Sequence, residues 1–118
     1  MANTADWRPI RAAACDELIR RIAELRDACP PMDLTSHKET ARLVSERSPI
    51  ADRAYKHRED LIDACLAAWT ASLWVTSGTL RCQVLGADDP LTDARGRRAT
   101  IIAPARPEQR AQKPDRAT

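Results

Sequence analysis

The sequence predicts a mostly α protein that ends in a C-terminal β-hairpin, an α+β class. Three observations carry this. Apolar residues recur at spacings of three and four in three separate stretches. The apolar fraction, 43%, comes mainly from Ala, Leu and Ile, with no Phe, one Tyr and three Trp. The only β-prone runs, LRCQVL and ATIIA, come late and are separated by turn residues. A chain of 118 residues suffices for one domain with one modest core, and residues 1–104 are expected to form it.

Asp6 is placed to cap a helix whose opening turn holds Pro9, where a missing N–H costs nothing. From there Ile10, Ala14, Leu18, Ile22, Leu25 and Cys29 recur at helical spacing, predicting an amphipathic helix over about 8–28 that Pro30 and Pro31 stop. Its other face (Arg11, Asp16, Arg20, Glu24, Asp27) reads as solvated surface. Ser36, with Glu39 three residues on, makes a capping box for a second helix over about 37–47, which Ser48 and Pro49 end. The charged segment 50–57 reads as a loop.

The third helix, about 58–76, has almost no polar face after Asp63. Ile62, Cys65, Leu66, Trp69 and Leu73 share one side, and Ala64, Ala67, Ala68, Ala71 and Val75 the other. Such a helix is expected to lie between layers, its Ala side letting a neighbour approach closely. Trp69 and Trp74 read as core or interface anchors rather than base-stacking platforms. Gly78 closes the helix, and strands over about 80–85 and 99–103 form the hairpin around GADDPLTDARGRR. Two strands alone would not be stable without helices to pack on. Residues 105–118 hold no apolar residue beyond Ala and are expected to be a disordered tail. No internal repeat is present.

Charge excludes little. The formal excess is +2, and the tail after Ala105, with four bases against two acids, accounts for it. A neutral body gives no strong sequence-independent grip on DNA. Cys15, Cys29, Cys65 and Cys82 form no CxxC pair and read as reduced thiols. No apolar run approaches the roughly 18 residues of a spanning helix, and the N-terminus lacks signal-peptide features, so no membrane partner and a cytoplasmic location are expected. His37 and His57 stand too far from other ligands for a zinc site. The three glycines sit in turns, so no phosphate loop is formed, and no nucleophile triad is visible.

The residues that point to chemistry are acids in the third helix. Asp60 and Asp63, three apart, occupy neighbouring positions on the helix surface, where their oxygens can flank a divalent cation. Glu59, four before Asp63, is a further oxygen donor. The alternative is structural: acids in a helix's first turn are favoured by the macrodipole and free N–H groups, which accounts for Glu59 and Asp60 and less well for Asp63.

The run KHREDLIDACLAAWTASLW, then RCQVLG, then ATIIAPARPEQR, resembles the C-terminal part of domain-of-unknown-function family 429, regarded as predicted nucleases of RNase H-like fold. The resemblance covers about 55–110 and rests on Glu59, Asp60, Leu61, Ile62, Asp63 and Ala64, followed by an Ala-rich run and the two strands in order. It implies a partial RNase H-like domain in which Asp60 and Asp63 are ligands to Mg²⁺ or Mn²⁺, Glu59 is an auxiliary catalytic acid, and the reaction class is two-metal phosphodiester hydrolysis. Residues before the acid helix offer no run that matches the family's N-terminal sheet with its own metal-binding Asp. The expectation is a C-terminal fragment or reduced relative, inactive alone. It would depend on a missing N-terminal half, a protein partner or self-association through the 58–76 helix, and nucleic acid would be the substrate.

Two other classes of function remain open from the sequence. KETARLVSER, the break SPI, and ADRAYKHRED resemble a helix-turn-helix, with Arg53, Lys56, His57 and Arg58 as phosphate or base contacts. A non-catalytic interaction protein is the third reading, discriminated by the absence of any Mg²⁺ or Mn²⁺ effect on thermal stability.

Overall fold

A computed structural model describes residues 6–110 of the chain. Its helices are α1 (Arg8–Ala23), α2 (Lys38–Ser45) and α3 (Asp52–Ser77), and its strands β1 (Cys82–Leu85) and β2 (Ile101–Pro104) pair antiparallel. The mostly helical class with a terminal hairpin is the one the sequence predicts. The chain divides into two compact units, Met1–Ala67 and Ala68–Thr118, with the boundary inside α3.

The first unit is built on Cys15, Ile19 and Ile22 of α1, Leu34, Leu43 of α2 and Ile62 of α3, with Met32, Tyr55, Leu61 and Leu66 packed against them. Each fully buried Leu or Ile contributes about 1.5–3 kcal/mol, so this small cluster holds the three helices together. The buried stripe of α1 is Ala12, Cys15, Ile19 and Ile22 rather than the expected Ile10, Ala14 and Leu18. Ile10 is 68% exposed. Both stripes have helical period, so periodicity alone does not choose between them. Arg11, one turn before Cys15, lies on the arc of α1 that faces α3, its guanidinium 3.9 Å from the Tyr55 ring centroid.

Three boundaries differ from expectation. Regular helix in α1 stops at Ala23, and Glu24–Asp27 tighten into a 3-10 turn before Ala28 extends. The cap of α2 is His37, whose Nδ1 accepts from the Glu39 N–H, and not Ser36. Asp33 accounts for the shift: its carboxylate accepts from the Thr35 N–H at 3.0 Å and its carbonyl from the Ser36 hydroxyl at 2.7 Å, drawing Ser36 into the preceding turn. The largest difference is α3, which begins at Asp52, so the expected loop at 50–57 is mostly helix. Asp52 is held there by Arg8 Nε and Arg11 Nη2, each at 3.0 Å, and Tyr55 packs inward.

In the second unit, Leu73 and Cys82 are almost fully buried. The hairpin register sets Cys82 opposite Pro104 and Leu85 opposite Ile101, so β2 starts two residues later than expected. Residues 105–110, expected to be disordered, are placed: Ala105 is buried, its N–H donates to the Arg81 carbonyl at 2.9 Å, and Arg110 Nε donates to the Ala105 carbonyl at 3.1 Å. The rest of the expected tail, 111–118, lies outside the described residues.

Candidate functional site

All three sequence-predicted acids stand on α3, but not in its first turn. With Asp52 opening the helix, Glu59 and Asp60 come two turns later, beyond the reach of the macrodipole and the free N–H groups. Asp52 occupies that favoured position instead. The structural account of Glu59 and Asp60 therefore changes, and a lysine replaces the helix end. Lys56 Nζ lies 3.3 Å from Glu59 Oε1 and 3.2 Å from Asp60 Oδ1, and these carboxylates, Asp60 first, raise the ammonium above its ordinary pKa. Solvent screens exposed pairs of this kind, so Lys56 does not lock the acids.

The helix separates the acids by direction. Glu59 and Asp63, four apart, line a pocket of about 320 Å³ with Cys15, Tyr55 and Ile62, walled on the α1 side by Ala14 and Leu18. Asp60 is not part of that lining and is exposed beside Lys56. Burial, followed by the neighbouring Cys15 and Glu59, pushes the Tyr55 hydroxyl above its ordinary pKa, and the Arg11 charge opposes this only in part. Tyr55 thus keeps its proton at neutral pH. Arg11 Nε is buried without a hydrogen-bond partner, while the guanidinium lies against the faces of Tyr55 and Trp7, 3.9 Å and 4.7 Å from their centroids. The ring faces supply the electrostatic contact that a hydrogen-bond acceptor would otherwise give.

Among the described residues, no group of three or more His, Cys, Asp and Glu is gathered to hold a metal ion. Asp60 and Asp63 are both exposed, as are Ala64, Ala67, Ala68, Ala71 and Val75 farther along α3. Trp69 and Trp74 are half-buried. No described helix is long and apolar enough to cross a membrane. Cys15 and Cys82 are buried, Cys65 is half-buried and Cys29 is exposed, and none of the four is in a disulfide.

The four basic residues of the helix-turn-helix reading do not form one exposed face, since Arg53, Lys56 and His57 are exposed and Arg58 is buried. Arg58 is buried at 8% exposure and donates from Nε to the Ser48 hydroxyl at 2.9 Å, and from Nη2 to the Leu43 and Glu46 carbonyls at 2.7 Å and 2.5 Å. It cannot project into a DNA groove. Lys56 is engaged with acids, and the connection from Glu46 to Ala51 is longer than the three or four residues of that motif. Arg58 is the structural residue that the sequence reading missed. Its signal was positional: it stands four residues before Ile62 and seven before Cys65, on the apolar side of the wheel.

No protein-family model matches the chain, and neither a curated protein nor a solved structure is similar to it.

Proposed function

We propose that this chain supplies one half of a divalent-metal centre for phosphodiester hydrolysis of RNase H-like type, and that it is inactive until another polypeptide segment supplies the other half. Asp60 and Asp63 are the ligands and Glu59 the acid beside them. The observation that supports this reading is that three acids stand within five residues of one helix, their only direct ionic partner among the described residues being the exposed Lys56. Carboxylate oxygens suit Mg²⁺ or Mn²⁺, and Mg²⁺ sites commonly use one or two carboxylates with water and substrate phosphate completing the shell. Two carboxylates would hold one weakly bound ion, and only after Asp60 leaves Lys56 to join Asp63, which lines the pocket beside α1. The pair does not complete a two-metal centre, since no third ligand from a second element joins it among the described residues. When bound, such an ion polarises a phosphoryl oxygen and acidifies water.

The exposed Ala face of α3 gives the completing segment a place to approach closely, because Cβ atoms alone stand between it and the helix backbone. The segment belongs either to the same protein or to a partner. The test is a cleavage assay with Mg²⁺ and Mn²⁺ on single- and double-stranded DNA and RNA. The isolated chain is expected to show no turnover; turnover that disappears in Asp63→Asn would overturn the half-site.

A further inference from the structure

We propose that the cleft between α2 and α3 in the first unit binds a small organic anion, a carboxylate or phosphate ester carried on an apolar body. The cleft measures about 670 Å³, within the roughly 300–1,000 Å³ of small-molecule sites. Leu43 and Leu61 contribute apolar lining, while Arg47, Arg53, His57 and Arg58 contribute polar groups. Arg42 and Glu46 pair at 2.9 Å and cancel, which leaves the guanidiniums of Arg47, Arg53 and Arg58 against the carboxylate of Glu39. The balance is positive.

Arg58 makes that balance consequential. It is buried, and its three hydrogen bonds go to a hydroxyl and two carbonyls, none to a carboxylate. Its Nη1 has no hydrogen-bond acceptor among the described residues. The carboxylates of Asp16 and Glu46 act on Arg58 only through space, without a direct ion pair, so its guanidinium still presents positive charge to the cleft. Arg47 and Arg53 are exposed at the cleft and form no ion pair among the described residues, so both are available to close on a ligand. A duplex cannot reach Arg58, whereas a ligand small enough to enter the cleft can. This site is separate from Asp60 and Asp63, which do not line it.

The test is titration of the isotope-labelled protein with phenyl phosphate, benzoate and inorganic phosphate at low ionic strength, followed by amide resonances. At least one of the two aromatic anions is expected to shift the amides of 42–61 saturably. Tighter binding of phenyl phosphate assigns an ester phosphate, and tighter binding of benzoate a carboxylate. Arg47→Ala with Arg53→Ala is expected to weaken binding about tenfold or more. Arg47→Gln with Arg53→Gln keeps most of each side-chain stem and should reproduce the loss, with thermal unfolding unchanged in both. The proposal is overturned by the absence of saturable shifts up to about 10 mM of either aromatic anion, by inorganic phosphate binding as tightly as phenyl phosphate, or by unchanged affinity in both folded variants.

Discussion

Arg58 Nε donates a 2.9 Å hydrogen bond to the Ser48 hydroxyl, joining α3 to the turn that follows α2, and the same guanidinium holds the Leu43 and Glu46 carbonyls. One side chain thus satisfies the end of α2 and ties it to α3. Hydrogen bonds to a charged group are worth about 1.5–3 kcal/mol each and do not add fully, so Arg58→Ala is expected to destabilise the protein by about 2–4 kcal/mol. Arg58→Lys should recover little of this, because an ammonium cannot span three acceptors in a planar fork. Urea unfolding followed by circular dichroism measures both, and a loss below about 0.5 kcal/mol would remove Arg58 from this role.

Ser48 is held from its other side by Asp16, whose Oδ1 accepts from the Ser48 N–H at 2.8 Å. Burial alone would raise the Asp16 pKa, but the Ser48 hydroxyl and N–H, with the Arg58 charge, more than offset it and leave the pKa below the ordinary value. A carboxylate depressed in the folded state stabilises the protein above its unfolded pKa of about 3.9, and that contribution is lost as pH falls through the lower folded value. Asp16→Asn should therefore lower stability near pH 7 and flatten its decline below about pH 4. Parallel acid-unfolding curves in the two proteins would contradict this.

The hairpin depends on Gly86, at φ +85°, where an added Cβ would meet the Ala99 carbonyl oxygen at 2.2 Å. Gly86→Ala combines a disfavoured backbone with a backbone clash, and a cost of about 1–3 kcal/mol is expected. Gly96→Ala, at φ +75° in open space, should cost only the conformational part, about 1 kcal/mol. Amide exchange at Cys82–Leu85 is the readout. Equal effects of the two substitutions would count against the clash.

Thiol accessibility gives a further check on the packing. Cys29 is exposed, Cys65 is half-buried with burial raising its pKa, and Cys15 and Cys82 are buried. Labelling by an aromatic disulfide reagent should be fast at Cys29, slower at Cys65, and at Cys15 and Cys82 should await opening of the fold. Fast labelling of Cys15 would contradict its place in the core.

The helices and hairpin were legible because apolar spacing and turn residues reported them directly. Asp6 does help open α1, accepting from the Arg8 N–H at 3.1 Å, and Gly78, at φ +52°, does close α3. What was hidden depended on contacts distant in sequence. Asp52 begins α3 because Arg8 and Arg11 reach it across more than forty positions, and no local pattern announces that. The charges that made 50–57 look like a loop, Arg53 and Lys56 among them, sit on an exposed face of a helix whose Tyr55 and Arg58 turn inward. The i,i+4 pairing of Lys56 with Asp60 was a readable local sign that the helix starts earlier. At the candidate site, spacing correctly put Asp60 and Asp63 on one helix. It could not show that Glu59 and Asp63 face a pocket beside α1 while Asp60 faces Lys56, since that division depends on how α1 packs.

The central claim is that Asp60 and Asp63 hold a divalent ion, and paramagnetic broadening by Mn²⁺ tests it without requiring turnover. Titration of the isotope-labelled protein is expected to broaden amides of 56–67 selectively, with a dissociation constant on the order of a millimolar or weaker. Lys56→Ala, which removes the competing cation at little cost in stability, should strengthen the effect. Asp60→Asn with Asp63→Asn should abolish it. Broadening that is absent, spread over the whole surface, or unchanged in the double Asn variant would contradict the claim.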